Sequence, residues 1–171
     1  MKAELHDGIL NLVLDSPRSG NAFGLEQARA LEKHLSSKNI RLIILSARGR
    51  VFCSGGNLRE YARLKTKAQG VEINRNIRRI LDKFARLATP KIAAVGGDCF
   101  GGGIELISCC DFILAEPHVF FGMWQRRLGL SFGWGGYGRL QKRVSPSDLH
   151  NWLFTGAVKS AFAARSMGLV D

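Results

Sequence analysis

The sequence predicts an α/β fold. Apolar runs of strand length alternate with amphipathic helical stretches. Two of those runs, 41–46 and 91–95, are of the continuous kind that suits strands buried on both faces. Glycine clusters then follow strands and precede helices, where backbone must turn or come close to something.

Taken in order, 8–14 reads as the first strand, broken by Pro17 and Gly20. A helix over 25–37 follows, with Leu25, Ala28, Leu31 and Leu35 on one face. The strand at 41–46 leads into 49–57, which is polar and glycine-rich and reads as a loop. The clearest helix is 72–88. Ile73, Ile77, Ile80, Leu81, Phe84 and Leu87 form its apolar stripe, and Arg75, Arg78, Arg79, Lys83 and Arg86 lie on the other face. Pro90 follows its end. The strand at 91–95 runs into a second glycine loop, 96–103, with a helix starting at its last glycines. Segments 111–115 and 119–121 read as short strands. Short helices are expected after Trp134, after Ser145-Pro146, and over 160–167, where Gly168 stops the last. No repeat or linker divides the chain, so 1–171 is expected to form a single domain.

Composition narrows the function classes. Apolar residues make up 46% and charged residues 23%, which is not the balance of a disordered chain. With 4 prolines and no G-X-Y period, the 20 glycines are not collagen-like. A net charge of +11 fits a polyanionic partner or a phosphate-rich ligand, and fits a well-solvated basic surface equally well. Cys53, Cys99, Cys109 and Cys110 have neither zinc nor disulfide spacing, so free thiols in a reducing compartment are expected. The first residues lack an apolar targeting region and no run is long enough to span a bilayer, so the expected location is cytoplasmic, without membrane contact.

Three glycine clusters stand out: 54–57, 101–103 and 133–138. A strand, three glycines and a helix leave N–H groups without partners at the helix start. Such groups bind an anion or stabilise an oxygen that becomes anionic during reaction. The same glycines also suit close packing of strand on helix. The string Gly133-x-Gly135-x-x-Gly138 follows no clear strand and leaves no room for a nucleotide-binding unit. His6, His34, His118 and His150 show no ligand spacing, so no metal is expected.

Together the motifs resemble the crotonase superfamily, also called the enoyl-CoA hydratase/isomerase family. Pro17 to Asn21-Ala22 resembles its early P-x-x-x-N-A element, and 48–58 its first glycine loop. Segments 89–97 and 100–105, followed by Cys110-Asp111, resemble the central signature, and 156–171 resembles the T-G-x-x-x-x-A-x-x-A-x-x-x-G-L-V stretch. The likeness covers almost the whole chain.

This resemblance implies a crotonase-like ββα spiral core, here lacking the family's usual C-terminal helical extension. It implies an acyl-CoA or acyl-carrier thioester as substrate, no cofactor beyond the coenzyme A that the substrate carries, and a homotrimer or hexamer. Two backbone N–H groups would polarise the thioester carbonyl so that an enolate forms. Carried over, the oxyanion donors are Gly56 and Gly102, and Ala22, Ser54, Gly55, Gly101, Trp134 and Gly135 line the substrate. The first acid/base carboxylate aligns with Glu105. The second, in the family motif F-G-x-P-E, falls on Gln125, which can orient a water or carbonyl but cannot exchange a proton near neutral pH. Efficient hydration is therefore not expected. Isomerisation through Glu105, or decarboxylation of a malonyl-type thioester, is. Arg126 or Arg127 is a candidate for holding a substrate carboxylate, against the simpler reading of a solvated basic pair. Asn57 is expected to serve loop structure, and Asp111 to brace the next strand. An alternative role is a weak or inactive scaffold, or an RNA-binding protein using Arg75, Arg78, Arg79, Lys83 and Arg86 as a basic comb, as one branch of the family does.

Overall fold

The computed structural model describes residues 1–37 and 39–171. Its organising unit is a pair of strands followed by helix. Strand β1 (Lys2–His6) turns through Asp7-Gly8 into β2 (Ile9–Leu14), an antiparallel hairpin. Helix α1 (Leu25–His34) leads to β3 (Leu42–Ala47) and β4 (Val51–Cys53), then to α2 (Leu58–Tyr61) and the long α3 (Lys67–Ala85). The next unit is β5 (Lys91–Val95), β6 (Asp98–Phe100) and α4 (Gly102–Ile107). The last is β7 (Phe112–Ala115), β8 (Phe120–Gly122), a 3-10 turn (Trp124–Leu128), α5 (Gly136–Leu140) and α6 (Pro146–Thr155). Strand β9 (Val158–Ser160) and α7 (Ala161–Ser166) complete the order.

The hairpin β1–β2 stays within one sheet, whereas in each later pair the first strand joins that sheet and the second joins another. The five-stranded sheet has the order β1-β2-β3-β5-β7, and the four-stranded sheet β4-β6-β8-β9. Strands β2, β3, β5 and β7 are parallel, as are β4, β6 and β8. The chain thus winds as a ββα spiral. Leu10, Leu12, Ile43, Leu45, Ala93 and Ile113 put one face of the first sheet into the core, against Ala28 and Leu31 of α1 and Ile77, Leu81 and Phe84 of α3.

The α/β expectation holds, with local corrections. The segments read as glycine loops contain β4 and β6. Strands of three residues are too short to show alternation, and β4 carries a register shift. Strand β1 was not expected, although Asp-Gly is a strong hairpin signal. Helix α3 begins earlier than its apolar stripe, because Thr66 and Gln69 form a capping box. Helix α1 ends at His34, short of 37. Ser145 and Ser160 cap α6 and α7.

Asp111 braces a strand as expected: its carboxylate accepts the Lys91 N–H at 2.8 Å and pairs with the buried Lys91 ammonium at 2.9 Å. Asn57 stands at the N-cap of α2 but makes no side-chain capping bond. All four cysteines are free and buried. Burial pushes the Cys53 thiol up to about 11 and Cys109 to about 12. Among the described residues no helix is long and apolar enough to cross a membrane, and no cluster of His, Cys, Asp or Glu could hold a metal ion.

Candidate functional site

The site is built where the first two glycine clusters meet. Asn21 places the first. Its buried side chain donates to the carbonyls of Arg48 (2.8 Å) and Val51 (2.7 Å) and accepts the Ser16 N–H (2.7 Å), tying 16–21 to the β3–β4 connection. Gly20 O then accepts the Ser54 N–H at 2.9 Å. Phe23 forms a parallel bridge to Gly56, donating to Gly55 O (2.8 Å) and accepting from Asn57 N–H (2.9 Å). Those two bonds flank Gly56, so its own N–H faces away from Phe23.

The second cluster is hung from β8. The Gly101 N–H donates to Gly122 O at 2.8 Å, and Gly102 opens α4. First-turn N–H groups have no intrahelical acceptor. Among the described residues neither the Gly56 nor the Gly102 N–H has an acceptor. The clusters touch directly: a Cβ on Gly101 would lie 3.7 Å from the Gly55 Cα, and one on Gly55 would lie 3.5 Å from the Gly102 nitrogen. Gly55 (φ +115°) and Gly101 (φ +51°) both adopt positive φ, which other residues resist. Gly103 serves packing alone, since a Cβ there would come within 2.8 Å of Cys53 Cβ.

Glu105 sits one turn into α4, only 3% exposed. Its carboxylate accepts three N–H groups from the third glycine cluster: Gly133 (3.3 Å), Trp134 (2.9 Å) and Gly136 (2.9 Å). Burial raises its pKa, opposed by those N–H donors and by Arg139; desolvation wins. Arg139 is itself a hub, donating to Trp134 O (2.8 Å), Ser108 Oγ (3.0 Å) and Asp82 (2.7 Å). Trp134 is 4% exposed, and its indole packs on both Gly56 and Gly102.

The other expected residues are distributed differently. Ser54 is exposed beside Gly20. Ala22 lines a small recess with Met1, Leu14 and Gln27. Gly135 faces Arg78, Asp82 and Arg139, whereas Gly136 is the glycine pressed on Glu105. Gln125 is buried, and both its amide atoms lack partners among the described residues. Arg126 and Arg127 are exposed, and Arg127 lies 5.2 Å over the Trp124 ring, which stacks on Phe100. The basic comb lines a groove with Asp82 and Leu87. It is partly neutralised: Arg79 makes a paired contact with Glu32 (2.9 and 3.0 Å), joined by Lys83, and Arg78 pairs with Asp82. Arg79 holds Glu32 below the usual carboxylate range.

Gly136 belongs to the third glycine cluster that the sequence singles out. Sequence reasoning missed Tyr61, Asn74 and Arg139, which reach the site only through the fold.

A family model described as Enoyl-CoA hydratase/isomerase matches residues 4–171. An enoyl-CoA isomerase/hydratase, fer4, of Mycosarcoma maydis is 31% identical over 96% of this chain and 64% of its own. The mitochondrial methylglutaconyl-CoA hydratase of Mus musculus is 29% identical over 98% of this chain and 55% of its own. The crystal structure of an enoyl-CoA hydratase from Bacillus anthracis superposes with a TM-score of 0.91 at 28% identity, covering 99% of this chain and 67% of that one. The chain spans about three-fifths of the length of the curated relatives it matches.

Proposed function

Because the chain belongs to the enoyl-CoA hydratase/isomerase family, we propose that it acts on an acyl-CoA or acyl-carrier thioester through an enolate. The observation that carries this is the junction of Gly55 with Gly101, which brings together two loops whose next N–H groups, on Gly56 and Gly102, have no acceptor among the described residues. Both N–H groups donate to the thioester oxygen and do so more strongly as it becomes anionic. No side chain on either residue obstructs the approach.

Glu105 is the sole acid/base. A raised pKa suits a carboxyl group that must both hold and release a proton. In isomerisation it takes a proton from the carbon beside the carbonyl, the electron pair moves to the held oxygen, and the proton returns two carbons along. In decarboxylation the bond to the carboxylate breaks, carbon dioxide leaves, the pair moves to the same oxygen, and Glu105 protonates the carbon. The three N–H groups leave one lone-pair position, on Oε1, for the proton. Gln125 contributes an amide where hydration needs a second proton carrier, so hydration is slow.

A panel of enoyl-CoA and malonyl-type CoA esters, with product analysis and Glu105→Gln as control, tests the proposal. Turnover by the wild type and its loss in the variant are expected. Failure of every ester to bind or react at any protein concentration overturns it.

A further inference from the structure

Trp134 is placed in a way that thioester chemistry does not require. Its benzo ring lies against both donor glycines at once. The Cη2 atom is 3.7 Å from where a Gly56 Cβ would be and 2.6 Å from where a Gly102 Cβ would be. On its other flank the ring meets Phe23, 5.7 Å away between centroids. The indole is held at both ends. Its Nε1–H donates to Asn74 Oδ1 at 3.1 Å, and Asn74 Oδ1 also accepts the Tyr61 hydroxyl at 2.6 Å. Its backbone N–H is held by Glu105 and its carbonyl by Arg139. Asn74 also packs on Gly133, immediately before the indole.

A large rigid ring over two glycines, tied by its Nε1–H, packed on Phe23 and anchored through its own backbone, forms a wall that does not yield cheaply. Carbons attached to a carbonyl at those donors need the space beside the glycine faces, and the indole fills it. Resting on the thioester reading above, we propose that Trp134 selects short acyl groups at the Gly56–Gly102 donor pair, and that Asn74 and Tyr61 are the positioning residues that hold it there. A short acyl group fits beside the ring. A long one must displace it and break the Asn74 bond.

The experiment is equilibrium binding of butyryl-, octanoyl- and palmitoyl-CoA, saturated esters that bind without turnover. The wild type is expected to bind butyryl-CoA at least about tenfold more tightly than palmitoyl-CoA. Trp134→Ala is expected to remove or reverse that preference, since each methylene that gains a buried place adds about fourfold in affinity. Trp134→Phe keeps an aromatic core residue and shifts the preference in the same direction by less. Asn74→Ala weakens the preference through the ring's position while leaving the ring itself in place. Wild type and variants that bind butyryl-CoA with one and the same chain-length profile overturn the inference and leave the thioester reading standing. Absence of binding by every ester to every folded protein overturns both.

Discussion

The Cα of Gly136 lies directly against the Glu105 side chain, so that a Cβ on Gly136 would fall 2.5 Å from Glu105 Cγ and 3.0 Å from Oε2. The same glycine donates its N–H to that carboxylate at 2.9 Å. The third glycine cluster is therefore fitted to Glu105 by shape as well as by hydrogen bonding.

Gly136→Ala keeps the N–H and adds only the clashing methyl. It is expected to cost about 1–3 kcal/mol of stability by overpacking and to displace Glu105. Gly138→Ala, two residues on in α5 with nothing within 4 Å of the new Cβ, is expected to stabilise by about 0.5–1 kcal/mol. Denaturant unfolding of the pair distinguishes contact from helix propensity. Equal effects at the two positions would contradict the packing argument.

Glu105 also makes stability depend on pH. Its folded pKa is raised above the ordinary glutamate value of 4.5, so the folded chain holds this proton more tightly than the unfolded chain. The resulting stabilisation is full below that value and is lost as pH rises through the folded pKa. Subtracting the stability of Glu105→Gln from that of the wild type isolates it from other carboxylates. The difference is expected to fall as pH rises from about 4.5 toward neutrality. Melting curves across that range check the sign, and a difference that grows with pH refutes it.

Asn21 makes three side-chain hydrogen bonds, two to the β3–β4 connection and one to Ser16 on its own segment. Asn21→Ala removes all three at a buried position and is expected to cost about 2–3 kcal/mol. Because Asn21 has a φ of +53°, Asn21→Gly separates backbone strain from hydrogen bonding. It should recover part of the loss and no more. Full recovery by glycine would show that the side-chain bonds contribute nothing.

Gln125 carries two buried amide atoms without partners among the described residues. Gln125→Met keeps the length of the side chain and removes both, and is expected to raise stability by about 1 kcal/mol. Calorimetry of the free protein checks this. A loss of stability would mean the amide is satisfied in solution.

Much of the fold and part of the site are legible in the residues alone. Strands 41–46 and 91–95 announce themselves as apolar runs, although burial on both faces is not what the structure shows: alternate residues are fully buried and those between them only half-buried. The stripe from Ile73 to Leu87 announces α3 because a helix repeats every 3.6 residues. Gly101 to Gly103 mark a loop with unpaired N–H groups because a strand–turn–helix junction is local, and Glu105 is singled out by the resemblance to the family motif. Strands β4 and β6 are hidden, being too short to carry a period. What only the tertiary structure decides is how distant segments meet. The indole of Trp134 finds Tyr61 and Asn74, 73 and 60 positions away. The Glu105 carboxylate, a free base when read in sequence, is bound by three N–H groups from a loop 28–31 positions on. Spacing along the chain carries no trace of either contact, because both arise from the spiral that stacks successive ββα units on one another.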